Sequence, residues 1–167
     1  MNARRPDTPN EIPPARPKRL FTPAEANRAI VLIEKIVADV MTEYSRVLDL
    51  QEMMEAAERE APAERREQLR LELLRCAGRL RTFAEELEDI GVELKDWSLG
   101  VVDFPSLAGG RQVCLSWRHG DRRVRHWHEV SAGLAGLQPI ETLPARDAYV
   151  GRRRAARDAI NARAAET

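Results

Sequence analysis

Two long stretches of this chain repeat an apolar residue at intervals of three and four positions. In the first, Ala26, Ile30, Ile33, Val37, Val40, Tyr44, Val47, Gln51 and Met54 keep that rhythm; in the second, Leu69, Leu73, Cys76, Leu80, Phe83, Leu87 and Ile90 do. The spacing gathers these side chains on one narrow stripe of a helix, suited to coiled-coil packing. Each stripe left in water would be costly, so the two are expected to cover one another. The start of the first helix is written into Phe21-Thr22-Pro23-Ala24-Glu25. Thr22 can accept from the free amides of the first turn, Pro23 suits the first helical position, and Glu25 completes a capping box. The periodicity predicts a helix to about residue 59, then a break at Pro62 in an acid-rich turn. A second helix follows and stops at Gly91, where glycine permits a left-handed C-terminal turn. Two long helices joined this closely pack antiparallel, which predicts a helical hairpin over residues 22–91.

Beyond Gly91 the period changes to two. Residues 92–97 and 101–104 read as short strands, with Pro105 expected to end the second. Val113, Leu115 and Trp117 alternate with Gln112, Cys114 and Ser116, and residues 124–130 read as a return strand. A tight turn at Gly120-Asp121 would pair Trp117 with Val124, Leu115 with His126 and Val113 with His128. That register puts both histidines on the apolar face, toward the helices. It puts Cys114, Ser116, Arg118, Arg123, Arg125 and Trp127 on the other face. Residues 131–143, with Gly133, Gly136 and Pro139, read as a loop. The fold class expected is α+β: a long antiparallel helical hairpin followed by a small antiparallel β-sheet.

The 167 residues suit one domain, expected over 20–143, with the β-rich part at 92–143. Formal net charge is zero, but it is unevenly placed. Residues 1–19 carry five basic and two acidic side chains among five prolines, which reads as an extended, disordered basic tail. Residues 144–167 carry six arginines against three acids and read as a tail or terminal helix. Cys76 and Cys114 make no disulfide framework, and no apolar run resembles a signal peptide or membrane span. A cytoplasmic location is the expectation.

Chemistry has few places to sit. His126 and His128 alternate on one strand, and Asp103 is the best-placed carboxylate on a neighbouring one. Two imidazoles and a carboxylate can hold a divalent metal, so Asp103, His126 and His128 are the metal candidates. Asp103 and His128, with Trp117 as a wall, are the ligand-binding candidates. A bare His-x-His has low specificity, and half-buried, hydrogen-bonded histidines account for it equally well. Arg118, Arg123 and Arg125 beside Trp127 form a cationic surface able to hold phosphate or carboxylates. No nucleophile stands beside a base in the predicted register, and no glycine motif cradles phosphate.

These residues resemble a known family. Leu20-Phe21-Thr22-Pro23-Ala24-Glu25-Ala26-Asn27 is similar to its start. Gly91-Val92-Glu93-Leu94-Lys95-Asp96 and Gly100-Val101-Val102-Asp103-Phe104-Pro105 are similar to its centre. Leu115-Ser116-Trp117, Gly120, Trp127-His128-Glu129, Gly133, Gly136 and Pro139-Ile140 are similar to its end. The family is the uncharacterised prokaryotic one called domain of unknown function 2203, and the resemblance covers about residues 20–141. It implies a small cytosolic protein with a helical pair and a β-rich end, and it implies no activity. Asp103 and His128 match the family pattern. Ser116 stands where that pattern has cysteine, and His126 where it has an aromatic.

Three functional readings remain open. The first is a non-enzymatic interaction module, with a protein partner or self-association along the hairpin. The second is a small-ligand or divalent-metal site at Asp103 and His128. The third is nucleic-acid association through the basic ends.

Overall fold

The computed structural model describes residues 19–145. The proline-rich and arginine-rich ends read above therefore lie, apart from Arg19, Pro144 and Ala145, outside the described residues, as does the expected terminal helix. Helix α1 spans Pro23–Glu60 and α2 spans Ala63–Ile90, packed as one antiparallel hairpin. The capping box forms as expected: the Thr22 amide donates to Glu25 Oε2 at 2.8 Å, and the Glu25 amide donates to Thr22 Oγ1 at 3.2 Å. Gly91 ends α2 at φ 96°, and its amide donates to the Leu87 and Glu88 carbonyls.

The buried stripe of α1 is Ala26, Ile30, Ile33, Val37, Val40, Leu50 and Ala57. The seam therefore follows Leu50 rather than Gln51, which is exposed. Nature's choice is physical: leucine gains about 1.5–3 kcal/mol from burial, whereas a buried amide must find partners. Leu50, Ala57, Leu69 and Cys76 make a small cluster of their own toward the hairpin tip. The main core lies at the other end, where the sheet packs on the first half of α1 and on Leu87.

Five strands run in the order β1 (Glu93–Asp96), β2 (Val101–Ala108), β3 (Arg111–Arg118), β4 (His126–Glu129) and β5 (Gln138–Pro139), each antiparallel to the next. Pro105 does not end β2. Its carbonyl accepts from the Phe21 amide at 2.7 Å, so its backbone polar edge faces away from β3 and no ladder bond is lost. Ser106 Oγ donates to the Phe21 carbonyl at 2.6 Å, and the Phe21 and Phe104 rings meet edge to face at 5.2 Å. The segment 131–143 is more ordered than a loop: it holds 3₁₀ turns at Gly133–Gly136 and Ile140–Thr142, with β5 between them.

Gly100, at φ +62°, lets the β1–β2 turn press onto α1. A Cβ there would lie 2.7 Å from Met41 Sδ and 2.8 Å from Val37 Cγ1. Gly100→Ala is accordingly expected to cost about 1–3 kcal/mol, from overpacking and a left-handed backbone. A melting temperature equal to the parent's would contradict that close approach.

The register of β3 and β4 differs from the expectation by one residue. Val113 faces Glu129, Cys114 faces His128, Leu115 faces Trp127 and Ser116 faces His126. A turn forms one residue earlier than expected, at His119-Gly120, with the Asp121 amide donating to the Arg118 carbonyl at 3.0 Å. The chain then leaves the sheet instead of returning along it. Val124 is buried in the main core, and its amide donates to Asn27 Oδ1 on α1 at 2.8 Å. This detour lengthens the connection to residues 119–125. Because side chains alternate, one residue of slip exchanges the faces of the whole return strand. Trp127 joins Val113, Leu115 and Trp117 in the core, and both histidines turn to the face away from the helices. Among the described residues no helix is long and apolar enough to cross a membrane.

Candidate metal centre

Positions 102, 104, 106 and 108 of β2 sit on the helix side with Val113, Leu115 and Trp117 of β3. Asp103 is therefore on the far face, opposite Ser116. The corrected register adds Cys114, His126 and His128 to that face. Cys114 and Ser116 thus share a face with the histidines, contrary to the sequence expectation. Trp117, expected as a wall of the site, lies on the other side of the sheet, with its indole N–H donating to the Asp121 carbonyl at 2.7 Å.

Asp103 and His128 meet directly. His128 Nε2 lies 2.9 Å from Asp103 Oδ2, and both side chains are 1% exposed. His126 does not join them: it is exposed, in the next row of the sheet. The third member is Cys114, which sequence reasoning missed. A ligand atom from each of Asp103, Cys114 and His128 lies within 4.8 Å of the other two. The alternation of Trp127 with the histidines carried a usable signal. An indole belongs more naturally in an apolar core than do two imidazoles, and following it would have turned the strand over.

The proton inventory of His128 is constrained by its neighbours. Nδ1 lies 2.9 Å from the Glu129 carbonyl oxygen, which can only accept, so Nδ1 carries a hydrogen and donates it. One further proton is then shared between Nε2 and Asp103 Oδ2. It sits either on the ring, giving an ion pair, or on the carboxyl, giving a neutral pair. Burial pushes the Asp103 carboxyl above the ordinary aspartate range, while the charge and hydrogen bond of His128, the Ser116 hydroxyl and Lys95 pull it back. Although Ser116 favours the charged form from across the ladder, Asp103 Oδ1 is buried and completes no hydrogen bond among the described residues. A buried carboxylate oxygen with no partner costs free energy and marks a place where something can bind.

The arrangement is unsuited to a thiol nucleophile activated by histidine. That chemistry needs one ring nitrogen facing the thiol and the other facing the carboxylate. Here one nitrogen is spent on a backbone carbonyl and the other on Asp103. The same arrangement suits a metal ligand. A carbonyl that holds Nδ1–H leaves the Nε2 lone pair aimed at the cluster, the usual outer support of a metal-bound histidine. Tetrahedral zinc spaces its ligand atoms about 3.3–3.7 Å apart. The 2.9 Å His128–Asp103 contact would open slightly and the sulfur would close by about 1.5 Å at most to meet that spacing.

Residues 19–140 match the family described as Uncharacterized conserved protein (DUF2203), and the chain belongs to that family. Comparison with curated proteins and with solved structures finds no match.

Proposed function

We propose that this family member binds a divalent metal of the zinc class through Asp103, Cys114 and His128. The observation that supports the reading is the convergence of carboxylate, thiol and imidazole within 4.8 Å, together with the buried Asp103 Oδ1, which completes no hydrogen bond among the described residues. A thiolate ligand favours zinc over magnesium or calcium, which prefer oxygen. Metal would take the place of the proton shared by Asp103 and His128, and the thiol would lose its proton as well, so affinity should rise with pH. Three protein ligands leave a fourth position for water or another group.

Zinc titrated into chelator-treated protein is expected to bind one to one, with proton release and a higher melting temperature. Cys114→Ala and Asp103→Asn should each weaken binding by at least about tenfold. Cobalt(II) should give a near-ultraviolet thiolate charge-transfer band that Cys114→Ala abolishes. Calorimetry showing no saturable site for either metal would end this reading.

A second reading, an interaction module, is favoured by apolar side chains left in water on both helices. Val31 is 82% exposed, Leu32 60% and Leu74 55%. We propose these as contacts for a protein partner or a second copy. Sedimentation over a concentration series, giving a monomer mass throughout, would dispose of self-association.

A further inference from the structure

The detour that reverses β4 also builds a cleft on the same far face of the sheet. Residues 119–125 leave Arg118 at the end of β3 and bring Arg123 and Arg125 back beside it, with His126 next on β4. The turns around β5 fold over from the other side. They contribute Leu134, Leu137 and Ile140, and the Ile140 amide donates to the Arg125 carbonyl at 2.9 Å, tying the two walls together. The open cleft has a volume of about 650 Å³, the size range of small-molecule sites.

We infer that this cleft binds a small organic oxyanion: an apolar body against Leu134, Leu137 and Ile140, and a phosphate or carboxylate head on the guanidinium groups. The formal charge of the lining balances, with Arg118, Arg123 and Arg125 against Asp96, Asp121 and Glu141, so the preference for an anion rests on how the arginines are partnered. Asp96 is already engaged, accepting from the Ser98 amide, the Ser98 hydroxyl and the Leu99 amide at 2.7–2.9 Å. Asp121 approaches Arg125 only at 4.0 Å. Among the described residues neither Arg118 nor Arg123 forms an ion pair within 4.0 Å, although Arg118 acts on Asp96 at longer range. Planar guanidinium groups hold an oxyanion through paired hydrogen bonds, which a more distant acid does not replace. Ser116 belongs to the floor of this cleft and faces Asp103 across the ladder, so an anion bound here would sit beside the metal centre proposed above. The cleft does not depend on that centre, since none of the three proposed ligands lines it.

The test uses the full chain with chelator present, so a failure of metal binding leaves it intact. Phenyl phosphate, benzoate, inorganic phosphate and phenol are titrated while amide resonances are followed by NMR. Saturable shifts at residues 116–126 and 134–140 are expected with phenyl phosphate or benzoate, and the stronger of the two identifies the head group. Binding should be at least tenfold weaker with phenol, which lacks the head, and with inorganic phosphate, which lacks the body. The double variant Arg118→Gln/Arg123→Gln should lose at least tenfold in affinity at an unchanged melting temperature, because both side chains are exposed. Leu137→Ser should weaken the aromatic anion and leave inorganic phosphate unaltered. No saturable binding of either aromatic anion, or parental affinity in the double arginine variant, would overturn the inference.

Discussion

His128→Ala is expected to destabilise the protein by about 2–5 kcal/mol, the cost of leaving one member of a buried hydrogen-bonded pair alone. Asp103 would keep its burial and lose its only hydrogen-bonded imidazole, with Oδ1 already lacking a partner. The deficit should depend on pH in a definite direction. The Asp103 carboxyl is raised by burial, so the folded state holds its proton more tightly than the unfolded chain does. Such a group contributes stability that is fully present below the unfolded aspartate value, about 3.9. That contribution is lost as pH rises through the folded value. Removing His128 deletes the two largest influences that hold the value down, so the window of loss widens upward. Melting temperatures of variant and parent, both metal-free, should therefore diverge more at pH 8 than at pH 4. Adding Asp103→Asn to the variant should recover part of the loss, because an amide buries no charge. Equal deficits at the two pH values would refute this account of the pair.

Trp117→Ala is expected to cost about 3–5 kcal/mol, as for other large buried aromatics. Trp117 is 1% exposed, lies opposite Val102 in the ladder, and packs in the main core between sheet and helices. Its indole N–H also satisfies the Asp121 carbonyl, which holds the turn that begins the detour. The substitution therefore opens a cavity and loosens residues 119–125 together. Denaturant unfolding should show a lower midpoint with little change in slope. If instead Trp117 were a ligand wall on the site face, the change would be nearly neutral for stability, and that result would contradict the observed face.

Much of the architecture was legible because its signals are local. Thr22, Pro23 and Glu25 act within one turn, and their capping box forms from neighbours alone. Gly91 likewise stops α2 where its own backbone freedom allows. The helical stripes pair whatever the sheet does, since each would otherwise remain wet. The clearest departure, Leu50 in place of Gln51, follows from chemistry at adjacent positions. Asp103 and His128 were legible as polar residues among apolar ones, and the structure brings them to 2.9 Å. Their face was not legible, and neither was Cys114 as their neighbour. Pro105 was misread for a related reason: whether a missing amide costs a ladder bond depends on which edge it faces, and Phe21 lies on that edge through a long-range contact.

The helices, their ends, their antiparallel pairing and the presence of alternating strands were thus determined by the sequence itself, through periodicity and capping that operate over a few residues. The register of β3 against β4 was decided only by the tertiary structure. A tight turn at Gly120 is compatible with either register, and the choice falls to Val124, whose amide bonds Asn27, 97 positions away in the chain. Burying Val124 against the helices removes it from the ladder, and that single residue carries Trp127 into the core and His128 onto Asp103 and Cys114. Alternation along a strand is local, but which of its two faces meets the core is set by what the rest of the chain offers to pack against it.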